Sequence, residues 1–132
     1  MSDESSIGHD LARAFVRAAE SGDIDAMRAL MSTGFVGHVT TRTGGSRRVD
    51  REGYLGAIEA MDGPSAALRL DVPDVTSVSD DLVLAMVEVH AERGGRRLHN
   101  HSGQLFRIDG GEITEIWMVD ALPAESDEFW AT

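Results

Sequence analysis

Two glycine pairs, Gly94-Gly95 and Gly110-Gly111, constrain the fold of this chain more than any other feature of its sequence. Each pair separates two long strand-like runs. Two consecutive glycines are typical of a type I′ hairpin turn, because both of its central positions need positive φ. The sequence therefore predicts an antiparallel meander. Its three strands cover 82–93, 96–108 and 113–120.

The first turn sets a register between its two strands. If Gly94 and Gly95 form the whole loop, Arg93 lies opposite Arg96, and every further step from the turn adds one cross-strand pair. The pairs with polar side chains are Glu92 with Arg97, His90 with His99, and Glu88 with His101. This register joins opposite charges, which stabilises a sheet by roughly 0.2–1 kcal/mol per pair.

The second turn leaves two registers to compare. A two-residue loop at Gly110-Gly111 would place Phe106 opposite Glu115 and mix apolar with charged side chains. A three-residue loop over 110–112 gives the pairs Arg107 with Glu115, Leu105 with Trp117, and Phe106 with Ile116. Like side chains and opposite charges then face each other, so we predict the three-residue loop.

These registers sort the side chains onto two faces, since neighbouring residues of a strand point to opposite sides. One face is predicted to carry Val83, Ala85, Val87, Val89, Asn100, Ser102, Gln104, Phe106, Ile116, Met118 and Asp120. The other is predicted to carry Leu84, Met86, Glu88, His90, His99, His101, Leu105, Trp117 and Val119. Both faces are mostly apolar, so we expect one to line the interior and the other to meet a partner.

The first half of the chain predicts helices. Apolar residues recur at helical spacing over 9–20, and Asp23 caps a second short helix that runs through Met31. Asp50 caps a third helix that runs to about Met61, before the break at Gly63-Pro64. Strands are predicted at 35–40 and 66–78. Helices followed by long antiparallel strands indicate an α+β fold.

Composition excludes several function classes. The net charge of −11 argues against a nucleic-acid partner, because phosphate binding needs a clustered basic surface. No lysine is present for Schiff-base chemistry, and no cysteine for a disulfide or thiolate, so a cytoplasmic location is the default expectation. No apolar run approaches the roughly 18 residues of a membrane span. Residues 1–7 predict a flexible tail, and residues 8–132 a single domain.

Two segments resemble proteins of the nuclear transport factor 2-like superfamily. The run Ser21 to Ala26 resembles their helix break, and the run Gln104 to Trp117 resembles their strand, glycine-rich turn and tryptophan strand. Within the superfamily the chain is most similar in style to the SnoaL-like group, which includes polyketide cyclases. Ketosteroid isomerase and limonene epoxide hydrolase share this scaffold. The resemblance covers nearly the whole chain from about His9. It implies a cone with a cystatin-like fold, in which three N-terminal helices close over a curved antiparallel sheet around a pocket.

The resemblance also implies a site for a small hydrophobic molecule. By this resemblance, the face that bears Asp120 is expected to line the interior of the cone, and the Trp117 face is expected to form a homodimer contact. SnoaL-like cyclases and ketosteroid isomerase use an aspartate to take a proton from the carbon next to a carbonyl. Asp120 is therefore the first catalytic candidate, and His38 is the second, as an acid/base partner. The predicted substrate-binding residues are Phe15, Tyr54, Ile58, Val87, Asn100, Ser102, Gln104, Ile116, Met118 and Trp130.

Several positions depart from the better-known relatives. Val39 stands where ketosteroid isomerase has its base, Phe15 where it has its tyrosine, and Gln104 where it has its protonated aspartate. Met118 follows the strand tryptophan, where SnoaL-like cyclases usually place an aspartate. Asp120 lies two residues further on and keeps the same face. Because Asp120 is present, proton transfer is expected. Steroid isomerisation is not expected, because the residues that ketosteroid isomerase uses are replaced.

Glu88, His90, His99 and His101 share one face of the first hairpin and could bind a metal ion or form a polar rim. The resemblance implies no metal, and we predict neither metal nor cofactor. Three functions stay open. They are a proton-transfer enzyme of the cyclase or isomerase type, a non-catalytic dimeric module that binds a small hydrophobic ligand, and a purely structural dimerisation domain without a continuous cavity.

Overall fold

The computed structural model describes residues 3–131, and of residues 3–6 only the backbone. The helices among them are α1 (Asp3–Ser21), α2 (Ile24–Leu30), α3 (Arg51–Met61) and α4 (Pro123–Trp130). The strands are β1 (Met31–Thr40), β2 (Ser46–Asp50), β3 (Arg69–Ser77), β4 (Leu82–Arg93), β5 (Arg96–Asp109) and β6 (Glu112–Asp120). The predicted α+β fold class is confirmed.

The N-terminal helices follow their predicted caps. The Asp23 side chain accepts a hydrogen bond from the backbone N of Ala26, and the Asp50 side chain accepts one from Gly53. Helix α1 begins at Asp3, earlier than the predicted start at residue 9, because no helix breaker interrupts residues 3–7. Residues 1 and 2 of the predicted tail lie outside the described residues.

Other elements also differ from the sequence prediction, among them β1, which begins at Met31 and not at residue 35. The strand expected from residue 66 begins at Arg69, because Gly63–Ala66 form a 3-10 helix that ends with Ala67 in the left-handed region. Strand β2, which pairs antiparallel with β1, was not predicted. Helix α4 was not predicted either, although its Trp130 was predicted to bind substrate.

The strands form one mixed sheet in the order β2-β1-β6-β5-β4-β3. Strand β1 runs parallel to β6, and all other neighbours are antiparallel. The predicted pairing of β4 with β5 is confirmed from Leu82↔Arg107 to Arg93↔Arg96. Gly94 and Gly95 have φ of 59° and 79°, as a type I′ turn requires.

The second turn combines the two alternatives considered from the sequence. The predicted pairs Arg107↔Glu115 and Phe106↔Ile116 are confirmed. The loop itself, however, has two residues, because Asp109 pairs with Glu112. The register shifts between Arg107 and Ile108, and Thr114 is the extra residue of this β-bulge. A type I′ turn matches the strand twist, and the bulge restores the register that apolar pairing demands.

The inner face of the sheet packs against α1, α2 and α3 and forms the main core. Its fully buried large side chains are Phe15, Val16, Met27, Phe35, Leu55, Val87, Phe106, Ile113 and Ile116. A second cluster joins Phe129 of α4 to Ala66, Ala91 and Leu98. No helix within residues 3–131 is both long and apolar enough to cross a membrane.

Candidate functional site

A cavity of about 730 Å³ lies between the inner face of the sheet and helices α1, α3 and α4. The size falls within the roughly 300–1,000 Å³ of small-molecule sites. Nine of the predicted site residues line it: Phe15, Tyr54, Ile58, Asn100, Ser102, Gln104, Met118, Asp120 and Trp130. Most of the remaining wall is apolar, so the cavity suits a small hydrophobic molecule that carries a few polar atoms.

Asp120 ends strand β6 and pairs with Ser102 across the sheet. Its Oδ1 accepts a hydrogen bond of 2.6 Å from Nδ2 of Asn100 and one of 2.8 Å from the backbone N of Leu122. Its Oδ2 has no hydrogen-bond partner among the described residues. One carboxylate oxygen is thus fixed by the protein, and the other is available to a bound molecule.

Asn100 lines the cavity, and its side-chain amide is also hydrogen-bonded within the protein. Its side chain is 2% exposed, and besides Asp120 its Nδ2 also donates to Oγ of Ser126 in α4 at 2.7 Å. Its Oδ1 accepts a hydrogen bond from the backbone N of His101. Because these bonds engage both ends of the amide, Asn100 positions Asp120 and ties β5 to β6 and α4.

Thr40 of β1 is hydrogen-bonded to the end of β6, on the side of that strand opposite to β5. Its Oγ1 accepts a hydrogen bond from the backbone N of Asp120 and donates one to the backbone O of Met118, both at 3.0 Å. Thr40 also lines the cavity. The backbone of Asp120 is therefore fixed by β1, and its side chain by β5.

Tyr54 of α3 brings a hydroxyl to the opposite wall. The ring is 6% exposed and contacts Phe35 and Phe15, with centroids 5.5 Å and 6.0 Å away. The Tyr54 hydroxyl has no hydrogen-bond partner among the described residues, whereas every fully buried side-chain N or O there has one. The hydroxyl oxygen is therefore not fully buried, and it opens onto the cavity that Tyr54 lines. Burial raises the pKa of this hydroxyl, which keeps it a proton donor.

Ser102 and Gln104 complete the polar strip on β5. Both line the cavity, and neither side chain has a hydrogen-bond partner within residues 3–131. Because a polar group in an apolar wall is costly without a partner, these two side chains are suited to bind polar atoms of a ligand.

The rim of the cavity contains charged residues that were not among the site residues predicted from the sequence. Arg42, in the loop after β1, forms an ion pair of 2.9 Å with Asp127 of α4. Arg47 of β2 also lines the cavity. Arg42 and Asp127 are 85 positions apart, and no sequence signal links them.

Three predicted site residues do not line the cavity. His38 lies on the outer face, where its ring stacks on Trp117 at 5.2 Å and its Nε2 is 2.6 Å from Oε2 of Glu115. The parallel pairing of β1 with β6 sets His38 beside Trp117 and turns Val39 inward instead. Val87 and Ile116 point inward but lie within the packed core, at 2% and 0% exposure.

The model of the SnoaL-like domain matches residues 12–116. Among curated relatives, the uncharacterized protein Rv0034 of Mycobacterium tuberculosis is 33% identical over 72 residues. The match covers 54% of this chain and 53% of that protein, so the chain spans about half the length of the curated relatives it matches.

Solved structures share the fold at low sequence identity. Bal32a, from a soil-derived mobile gene cassette, has a TM-score of 0.76 at 24% identity, with 96% of this chain and 98% of that chain covered. IdmH, a candidate polyketide cyclase from Streptomyces antibioticus, has a TM-score of 0.71 at 22% identity, with 91% and 96% covered. An epoxide hydrolase of M. tuberculosis has a TM-score of 0.74 at 16% identity, with 92% and 88% covered.

Proposed function

Because this chain belongs to the SnoaL-like domain family, within the nuclear transport factor 2-like superfamily, we propose that it is an enzyme of the cyclase or isomerase type. It acts on a small, largely apolar carbonyl compound by proton transfer. The observation that carries this proposal is the position of Asp120. Its carboxylate stands in the wall of an apolar cavity, with Oδ1 held by two donors and Oδ2 open. A base fixed in this way accepts a proton with little reorganisation.

The proposed reaction begins when Oδ2 of Asp120 takes a proton from the carbon next to the substrate carbonyl. The electron pair of that C–H bond moves onto the carbonyl oxygen and forms an enolate. The Tyr54 hydroxyl, the Ser102 hydroxyl and the Gln104 amide are the donors that can stabilise the enolate oxygen. Asp120 then returns the proton at another carbon, which completes an isomerisation. Alternatively, the enolate carbon attacks a second carbonyl to close a ring, and the oxygen of that carbonyl takes up the electron pair and the proton held by Asp120. Neither outcome needs a cofactor.

The similar structures support a small-molecule enzyme. Two of them are a candidate polyketide cyclase and an epoxide hydrolase. The cavity of this chain has the matching size and apolar walls.

Hydrogen exchange tests the reaction type without knowledge of the natural substrate. Abstraction of a proton next to a carbonyl in D₂O replaces hydrogen with deuterium even when no later step follows. The purified protein is expected to accelerate exchange in at least one of cyclohexanone, acetophenone, benzylacetone and β-tetralone over the buffer rate. NMR spectroscopy or mass spectrometry measures the deuterium content.

The rival proposal is a non-catalytic dimeric module that binds a small hydrophobic ligand, and the apolar cavity walls favour it equally. Saturable binding of these ketones without any exchange would support the binding module and contradict proton transfer. The third possibility, a purely structural domain, predicted no continuous cavity, and the cavity of about 730 Å³ argues against it.

We also propose that the chain forms a homodimer through its Trp117 face. Met86 and Val119 are 41% and 59% exposed there, beside the partly exposed Leu84, Leu105 and Trp117. The ring of Trp117 is held between His38 and the guanidinium of Arg107, which lies 5.5 Å from the ring centroid. A rigid apolar patch of this kind is typical of protein–protein contacts.

Val119→Arg is expected to convert this dimer into a monomer, because a charge buried within the contact loses its hydration without gaining a partner. Light scattering coupled to size-exclusion chromatography measures the mass. Val78→Arg is the matched control, since Val78 is 54% exposed but lies in the turn between β3 and β4. A monomeric wild type, or a dimer that survives Val119→Arg, would contradict the proposed interface.

A further inference from the structure

Three imidazoles and two carboxylates gather on the outer face of the sheet, away from the cavity. Glu88 and His90 of β4 lie directly opposite His101 and His99 of β5. On the other side of β4, Asp71 of β3 lies directly opposite Glu88. These residues occupy the part of the face that lies towards the Gly94-Gly95 turn, beside the apolar patch of Trp117.

The ligand atoms of this cluster converge on one point. The Nε2 atoms of His99, His90 and His101 lie 2.5 Å, 3.5 Å and 3.9 Å from the same oxygen, Oε2 of Glu88. One ligand atom from each of Glu88, His90 and His99 lies within 4.8 Å of the others. Two ligands of a tetrahedral zinc ion are about 3.3 Å apart, given zinc–ligand bonds of roughly 2.0–2.1 Å. Small side-chain rotations therefore suffice to bring the atoms of Glu88, His90 and His99 around one ion, and His101 is near enough to supply a fourth ligand.

The backbone and the charges both favour an ion at this position. The strands are joined by a two-residue turn, so the four side chains project from a fixed hairpin, and the rings of His90 and His99 already stack at 4.7 Å. Asp71 and Glu88 are directly opposed carboxylates, an arrangement that destabilises a sheet unless positive charge lies between them. Nε of Arg69 lies 3.3 Å from Oδ2 of Asp71, but Arg69 forms no ion pair with Glu88.

We propose that Glu88, His90, His99 and His101 form a binding site for one divalent transition-metal ion per chain, with zinc as the best match to three imidazoles and one carboxylate. Asp71, 3.7 Å from Nε2 of His90, lies where it can accept a hydrogen bond from a metal-bound histidine. The site is independent of the proposed reaction, because its residues face away from the cavity. Zinc would link β4 to β5 and stabilise the folded hairpin beside the proposed dimer contact.

Isothermal titration of the metal-free protein, purified without a histidine tag, with Zn²⁺ tests the site. The expected result is saturable binding of one ion per chain and a higher thermal midpoint in the presence of Zn²⁺. Co²⁺ in the same site is expected to give the visible absorption bands of a tetrahedral complex. Glu88→Gln and His99→Ala should each weaken Zn²⁺ binding by about tenfold or more.

His38→Ala is the matched control, because it removes an imidazole that is paired with a single glutamate on the same face. It should leave the affinity for Zn²⁺ unchanged. The three variants change partly exposed side chains, and circular dichroism checks that they fold. An absence of saturable binding by the wild type would overturn the proposal. So would equal affinities of the wild type and the Glu88→Gln and His99→Ala variants, or an equal loss in His38→Ala.

Discussion

Asp120→Asn is expected to slow deuterium exchange into a ketone that the wild type labels by about 10²–10⁴-fold, the usual contribution of a general base. An amide cannot accept the proton that the carboxylate takes from carbon. Its Oδ1 can still accept the hydrogen bonds from Asn100 and from the backbone N of Leu122 that hold the native side chain. The variant should therefore fold and bind the ketone as the wild type does.

Asp127→Asn is the matched control for this variant. Asp127 also lines the cavity, but it lies at the rim and its carboxylate is paired with Arg42. It should keep an exchange rate close to that of the wild type. Full exchange activity in Asp120→Asn, or an equal loss in both variants, would remove Asp120 from the role of base.

Phe106→Ala is expected to lower the free energy of unfolding by about 3–5 kcal/mol. Phe106 is 0% exposed at the centre of the sheet, paired with Val83 and Ile116. Its ring meets Phe15 of α1 edge to face at 5.8 Å. Truncation to alanine leaves a cavity where the sheet contacts α1, and the surrounding residues can fill it only in part.

Leu105→Ala, at the next position of the same strand, is the control for Phe106→Ala. Leu105 points to the outer face and is only partly buried, so its loss should cost roughly 1 kcal/mol. Urea denaturation in the Val119→Arg background separates unfolding from subunit dissociation. Equal costs for the two substitutions would contradict the assignment of the two faces.

The register of the meander was predictable because local chemistry determines it. Two glycines specify a type I′ turn, and the pairing of Arg107 with Glu115 selects one register of the second hairpin. The bulge at Thr114 could not be predicted, since a longer loop and a bulge give the same pairs at Arg107 and beyond. Only the backbone geometry at the turn distinguishes them.

Strand β2 and helix α4 were missed for a related reason. Strand β2 reads Ser-Arg-Arg-Val-Asp and is largely exposed, so it has no buried face and no alternation of apolar residues. It exists because β1 offers it an edge to pair with. Helix α4 buries Phe129 against Ala66, Ala91 and Leu98, which are distant in sequence, and only tertiary contacts make its short amphipathic pattern stable.

The candidate site was predictable where it lies on the meander. Alternation along β5 and β6 places Ser102, Gln104 and Asp120 on one face, and the structure brings them into one cavity. The orientation of His38 was not predictable, because it depends on the parallel pairing of β1 with β6 across most of the chain. The commitment of Asn100 to Asp120 and Ser126 likewise depends on where α4 packs.

A crystal structure of the wild-type protein with a ketone that exchanges, such as β-tetralone, is the most direct test of Asp120 as the base. We expect a carbon next to the carbonyl within about 3.5 Å of Oδ2 of Asp120. We also expect the carbonyl oxygen within roughly 2.6–3.2 Å of a donor from Tyr54, Ser102 or Gln104. A ketone bound outside the cavity, or bound inside it with Asp120 directed to solvent, would contradict proton transfer by Asp120.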